Sequence, residues 1–263
     1  MLEAQPGLQS PEPAVPARMT AMVKRFGHVE AVAGCDLELR RGEILGLVGD
    51  NGAGKTTLMK LLGGNLLPDG GQIEIDGAIV QIPTADAARG LGIEMIHQHL
   101  ALFNSLDIPA NVFIGRELTR RLLGLLPYLD RAAMRRRTGE LLERLGVAIP
   151  LDARAGSLSG GQRQMTAVAR AVAFQASARI VVMDEPSAAL GIAEAATVLE
   201  LIRSLKKSGH SIIVISHRIQ ELIDLSDRIM VMKAGRRVAV LDSRSTTLEQ
   251  VAATIVSGRP ADG

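Results

Sequence analysis

Gly49, Gly54, Lys55 and Thr56 occupy the fixed positions of G-x-x-x-x-G-K-[ST] within the segment GDNGAGKTT. Each residue type there has a chemical reason. Glycine tolerates positive φ and carries no Cβ, so the loop's amides, from Gly49 through Asn51, Gly52, Ala53 and Gly54 to Thr57, can turn inward around a phosphate. A helix starting near Gly54 adds the positive end of its dipole to the same anion. Lys55 brings a full charge to a terminal phosphate, and the Thr56 hydroxyl is a hard oxygen suited to Mg²⁺. The flanks supply the required order: GEILGLVG reads as a buried strand entering the loop and TLMKLLGG as a helix leaving it.

Two further stretches extend this chemistry. Ile180–Asp184 is an apolar run ending in an acid, as suits a central strand of a parallel sheet covered on both faces. Ligands of open α/β sheets bind at the carboxyl ends of such strands, where Asp184 would reach Mg²⁺ and Glu185 would polarise an attacking water as general base. In LSGGQ, Ser159 and Gln162 fit a capping box ahead of the periodic apolar residues Met165, Val168, Ala169 and Val172. The bare glycines Gly160 and Gly161 add open amides at that helix start, which make a second anion site. Each motif occurs once and no internal repeat is present. The expectation is therefore a pair of chains, with ATP held between the phosphate loop of one and the Ser159–Gln162 segment of the other, and hydrolysed there.

These motifs follow one another over roughly Met19–Arg237 in an order that resembles the nucleotide-binding subunit of an ATP-binding-cassette (ABC) transporter. The resemblance implies an α/β fold: a P-loop NTPase cassette with a mixed or parallel core sheet, a β-rich edge subdomain and an inserted α-helical lobe. It also implies roles for residues that carry no signal alone. Phe26 in VKRFGHVEAV falls at the aromatic position that stacks on adenine, where the family more often has tyrosine. Gln98 in MIHQHLALF falls at the glutamine that contacts Mg²⁺ or water and senses the membrane partner, and His217 in IVISHRI at the histidine that contacts the γ-phosphate. The implied catalytic set is Glu185, His217, Gln98 and Lys55, and the implied metal set Thr56, Gln98 and Asp184. Without the flanking motifs, Phe26 would read as core, Gln98 as a polar strand end and His217 as a surface residue. One departure stands out: in PSAALG, Gly191 replaces the aspartate that the family usually carries in the loop crossing the dimer axis.

Within the family, the segments IHQHLALFNSLDIPANVFIGRE, DEPSAALG and ISHRIQELIDLSDRIMVMKAGRRV resemble ATPases of bacterial importers of simple sugars. That likeness implies a homodimer, integral membrane permease subunits, an extracytoplasmic solute-binding protein acting through the permease, and a place on the cytoplasmic face of the cell membrane. Two rival readings remain open: an importer ATPase for branched-chain amino acids or another polar solute, and a soluble cassette ATPase for chromosome or ribosome work. Against the second stands the lack of heptads between the phosphate loop and LSGGQ, and of a second cassette. Lys55, Asp184, Glu185 and His217 together argue against a non-catalytic nucleotide sensor.

The chain has 263 residues, 47% of them hydrophobic, enough for a sizeable core. Thirty basic and 28 acidic residues leave a net charge of +2, so no basic excess points to nucleic acid as a partner. Arg135-Arg136-Arg137 sits in a helical pattern and reads as a solvated face. The lone Cys35 leaves no disulfide framework or zinc site. Residues 1–18 read as a disordered, proline-containing tail, 19–257 as the ATPase domain with the helical lobe inserted at about 100–175, and 258–263 as a second tail. No apolar stretch is long enough to span a bilayer.

Overall fold

The computed structural model describes residues 15–96, 102–122, 126–173, 179–188 and 190–259. The chain enters through a hairpin, β1 (Ala17–Phe26) and β2 (Val29–Leu39), whose inward residues include Met19, Met22, Val32, Cys35 and Leu37, all buried. Ala17 is fully buried and pairs with Leu39, so the sheet starts two residues inside the stretch assigned to the tail. The tail reading rested on composition, which cannot see that Ala17 and Met19 share one face of a strand. β3 (Ile44–Val48) is buried throughout and feeds the phosphate loop and α1 (Lys55–Leu62). β4 (Gly70–Ile75) and β5 (Ala78–Val80) complete a four-stranded antiparallel sheet in the order β2-β1-β4-β5. Burial pushes the Cys35 thiol up to about 11, so it behaves as an inert core residue.

α2 (Ala85–Gly90), capped by the Thr84 side chain, leads into β6 (Ile93–Ile96). A helix-rich segment follows: α3 (Ile108–Phe113), a small hairpin of β7 (Thr119–Leu122) and β8 (Leu126–Leu129), α4 (Arg131–Arg144) and α5 (Gly160–Val172). The backbone of this hairpin pairs from Thr119 with Leu129 to Leu122 with Leu126. Pro127 is admissible because a two-stranded edge leaves its missing donor unneeded, and Asp130 starts α4 by accepting from the Ala133 amide. The Arg135–Arg137 run is exposed on α4, with Arg135 paired to Asp152.

The segment before α3 is pinned from below. Asn111 is fully buried; its Oδ1 accepts from the Phe103 amide at 2.7 Å, and its Nδ2 donates to the carbonyls of Phe103, Leu106 and Asp107 at 3.0–3.2 Å. One side chain thus satisfies a turn's backbone at the entrance to the helices.

The chain returns through β9 (Ile180–Asp184), α6 (Ile192–Lys207), β10 (Ser211–Ile215), α7 (Ile219–Leu225), β11 (Arg228–Lys233), β12 (Arg236–Asp242) and α8 (Leu248–Ser257). The main sheet runs β12-β11-β3-β10-β9-β6, parallel except for β12. Its strands are apolar on both faces for a visible reason. Val181, Met183, Ile212 and Val214 point to the side packed by α5, α6 and α7, while Ile180, Val182, Ile213 and Ile215 point to the side packed by α1 and the antiparallel sheet. This is the mixed α/β cassette architecture with a β-rich edge that the motifs imply. Among the described residues, no helix is long and apolar enough to cross a membrane.

Candidate active site

Backbone crowding explains two of the loop glycines. Gly49 has φ 153°, and a Cβ there would lie 2.1 Å from the Met232 carbonyl oxygen; Gly54 has φ 95°, and a Cβ there would lie 2.3 Å from that of Ala31. Any side chain at either position pushes β11 or β2 away from the loop. Gly54 is also the N-cap of α1 and offers no side-chain acceptor, so the first amides of α1 are left for an anion.

Lys55 lies across this loop, its Nζ donating to the carbonyls of Gly49 at 2.7 Å and Asp50 at 2.9 Å. Desolvation lowers its pKa, opposed by the nearby carboxylates of Glu185, Asp184 and Asp50. The parallel pairing of β9 with β10 brings Asp184 level with Ile215, at the carboxyl end of the sheet. There the Thr56 hydroxyl donates to Asp184 Oδ2 at 3.2 Å. A hydroxyl and one carboxylate make a sparse set of hard oxygens. No cluster of three or more His, Cys, Asp or Glu able to hold a metal occurs among the described residues. That set fits Mg²⁺, which keeps several waters and binds through one or two protein oxygens plus substrate phosphates.

Glu185 has left-handed backbone, φ 53°, and its amide donates to the Ile215 carbonyl at 2.9 Å. This turn aims the side chain back over the loop, where Oε1 lies 2.6 Å from His217 Nδ1. Glu185 is 11% exposed and His217 64% exposed. Desolvation raises the Glu185 pKa most; His217 and Lys55 pull it down and Asp184 adds to the rise. A carboxylate made more basic by burial beside a cation is suited to taking a proton from water.

These groups share one cleft of about 790 Å³, whose wall includes Phe26, the loop from Asn51 to Thr57, Asp184, Glu185 and His217. Phe26 ends β1 with 49% of its surface exposed, and Lys24 Nζ lies 5.7 Å from its ring centroid. It is thus a face of the cleft rather than a core residue. Phe26→Ala is expected to weaken ATP and GTP binding alike, by about 1–3 kcal/mol, because stacking does not read base edges. Titration calorimetry showing unchanged affinity would remove the ring from the nucleotide site.

Ser159, Gly160, Gly161 and Gln162 do not line this cleft. They start α5 as the expected capping box: the Ser159 hydroxyl accepts from the Gln162 amide at 3.3 Å, and Gln162 Oε1 accepts from the Ser159 amide at 3.1 Å. The Glu194 side chain, on α6, lies against this helix start: a Cβ added at Gly161 would sit 3.0 Å from Glu194 Cβ, and Glu194 Oε2 accepts from the Gly191 amide at 3.4 Å. The nearby Ser159 hydroxyl, with the Gly161 and Gly191 amides, holds the Glu194 carboxyl below its usual range. α6 begins at Ile192. Gly191 is the N-cap and Glu194 the N3 residue that closes on it, a G-x-x-E pattern recognisable as half a capping box. Ile215, Val29 and Ala234 also line the cleft without a chemical type that marked them. Gln98 lies outside the described residues.

Residues 32–188 match the ABC transporter family. The fructose import ATP-binding protein FrcA of Rhizobium meliloti is 40% identical over 252 residues, 94% of this chain and 95% of that protein. The xylose/arabinose import ATP-binding protein XylG of Sulfolobus acidocaldarius is 41% identical over 235 residues, 89% of this chain and 91% of that protein. A putative ribose/galactose/methyl galactoside import ATP-binding protein of Burkholderia lata is 40% identical, matching 96% of this chain but 48% of its own length. In fold, the chain is similar to cbiO1 from Clostridium perfringens, part of the ABC transporter complex cbiONQ, with a TM-score of 0.75 at 24% identity over 92% of this chain and 93% of that one. A cassette of an ABC transporter in its ADP conformation gives 0.77 at 24% identity, over 92% of this chain and 95% of that one. With a phosphate loop, an acid-ended strand and a capped LSGGQ helix on this fold, the chain belongs to the ABC transporter family as an ATP-binding cassette.

Proposed function

We propose that this chain hydrolyses ATP to drive uptake of a monosaccharide through a partner permease. The observation that carries the catalytic part is the convergence of Lys55, Thr56, Asp184, Glu185 and His217 on one cleft. The sugar assignment rests on near full-length similarity to proteins named for fructose and for xylose/arabinose import.

The loop amides and Lys55 bind the phosphates, and Phe26 packs on the base. Thr56 and Asp184 would hold Mg²⁺, which when bound neutralises charge on the phosphates and orients them. Glu185 accepts the proton of the attacking water, and His217, 2.6 Å away, fixes the direction of its carboxylate and faces the terminal phosphate. Gln98 contributes to the metal site and reports on the permease. A second copy completes each site by presenting Ser159, Gly160, Gly161 and Gln162 to the terminal phosphate.

The test is purification of the tagged chain from native membranes, with its permease reconstituted in vesicles beside the candidate binding protein. ATPase activity is expected to rise when the binding protein carries one of fructose, xylose, arabinose, ribose or galactose. Stimulation by branched-chain amino acids alone would overturn the sugar assignment. Recovery of the active chain without any membrane partner would overturn transport in favour of a soluble cassette ATPase.

A further inference from the structure

Two segments meet at the carboxyl end of the main sheet, one leaving β9 and one leaving β10, and three contacts tie them together. The Glu185 amide donates to the Ile215 carbonyl at 2.9 Å, Glu185 Oε1 lies 2.6 Å from His217 Nδ1, and the Ser187 hydroxyl donates to Glu221 Oε2 at 2.6 Å. The first contact continues the parallel pairing of the strands, and the second joins the two groups that face the nucleotide. The third lies outside the cleft, whose wall includes neither Ser187 nor Glu221. Ser187 is 1% exposed, and a hydroxyl donating to a carboxylate at that distance makes a strong, charge-assisted bond.

We propose that Glu221 is a positioning residue for ATP hydrolysis: acting through Ser187 and Arg218, it holds Glu185 and His217 at the angle that lets the Glu185 carboxylate address the attacking water. This rests on the reading that Glu185 accepts the proton of that water. Glu221, in the first turn of α7, reaches both sides of the pair at once. Its Oε2 holds Ser187, two residues after Glu185, while its Oε1 accepts from Nη1 of Arg218, the residue after His217, at 2.7 Å. The Arg218 amide is fixed as well, donating to Oγ of the buried Ser216 at 3.0 Å. Both neighbours of His217 are thus anchored, although the histidine side chain itself is 64% exposed.

Backbone strain explains why support is needed beyond Glu185. Its left-handed φ of 53° is costly for a residue with a side chain and persists only where the surroundings over-determine it. The Ile215 carbonyl restrains it from the strand side. On the other side the chain turns back, with the Ala188 amide on the Glu185 carbonyl at 3.3 Å, and the Ser187 hydroxyl is what fastens that turn to α7. Without Glu221 the turn relaxes and the Glu185 carboxylate loses its direction toward His217. Lys55 and the loop amides hold the phosphates from other elements, so the loss falls on turnover rather than on binding.

The experiment measures kcat for MgATP hydrolysis, and ATP affinity by equilibrium titration, on the full chain purified from native membranes with any permease that accompanies it. Glu221→Ala is expected to lower kcat roughly 10- to 100-fold and to leave ATP affinity within about twofold, since a small misplacement of a reacting group costs rate. Ser187→Ala removes the buried bond alone and should lower kcat roughly three- to tenfold. Combined with Glu221→Ala it should add almost nothing, because the two side chains make one tie. Glu221→Gln, whose amide oxygen can still accept from Ser187, should recover most of the lost kcat. A strut that only stabilised the fold would lower the melting temperature without this split between kcat and affinity. Unchanged kcat in Glu221→Ala and Ser187→Ala, equal losses of kcat and affinity, or a Glu221→Gln variant as slow as Glu221→Ala would each overturn the assignment. If Glu221→Ala does not fold, Ser187→Ala decides by the same split. Glu185→Gln, assayed alongside, separates the two readings: near wild-type hydrolysis by it removes Glu185 as the base, whereas an inactive Glu185→Gln beside a fully active Glu221→Ala rejects the positioning role alone.

Discussion

Glu185→Gln is expected to bind ATP with near wild-type affinity while turnover falls by roughly 10²–10⁴. The amide keeps the size of the carboxylate and can still accept from His217, so the cleft geometry survives; what disappears is the basic oxygen 2.6 Å from His217 Nδ1. The purified variant should accumulate as an ATP-bound dimer, seen by size-exclusion chromatography with nucleotide. Hydrolysis near the wild-type rate would take Glu185 out of the proton-accepting role. The direction of its pKa shift adds a second readout. Burial raises the Glu185 pKa, so the carboxylate is lost to protonation at a higher pH than an ordinary glutamate. The acid limb of the wild-type ATPase profile should therefore lie above the usual carboxylate range. The sign for stability follows: ionised Glu185 is disfavoured in the folded chain, a cost present above the raised pKa and relieved as pH falls through it. Glu185→Gln should accordingly melt at a slightly higher temperature than wild type at neutral pH.

Why Glu185 was legible from sequence, and Glu194 was not, is a matter of where the information sits. The acid after an apolar run is defined by its neighbours along the chain: Ile180–Met183 form a strand buried on both faces, and such a strand can end only at a sheet edge where polar groups meet ligands. The phosphate loop is similarly local, since Gly49 and Gly54 are set by positive φ and by the carbonyls they pass. The Ser159–Gln162 capping box is local as well, and its bonds form as the spacing dictates. The Glu194–Gly161 contact spans two helices, and no periodicity announces it. The hairpin β7–β8 hid for another reason: its apolar residues suit a strand or a helix, and only Pro127 and the Asp130 cap decide between them. Cleft-lining Val29, Ile215 and Ala234 contribute shape rather than chemistry, and shape is a property of packing.

A mixed dimer separates the two phosphate-binding helix starts onto different chains. If one chain carries Lys55→Ala and its partner Ser159→Arg, and each ATP is held by Lys55 of one chain and Ser159 of the other, both defects fall in a single site. The second site then pairs an intact phosphate loop with an intact α5 start. The geometry motivates this arrangement, because Lys55 lies in the cleft with Asp184 and Glu185 while Ser159–Gln162 do not line it. A chain whose two anion-binding helix starts face different places can use both on one phosphate only by borrowing. With differently tagged chains, non-hydrolysing conditions and a photoreactive ATP, the label should concentrate on the chain bearing Ser159→Arg, which keeps its own Lys55 and borrows its partner's Ser159. Non-hydrolysing conditions matter, since turnover at one site can depend on the other. The expected asymmetry is large: Lys55→Ala removes the one full positive charge in the loop, so its own chain should take up little label. If the Ser159→Arg chain fails to occlude nucleotide while dimers form normally, α5 serves the phosphate loop of its own chain, and the shared-site mechanism falls.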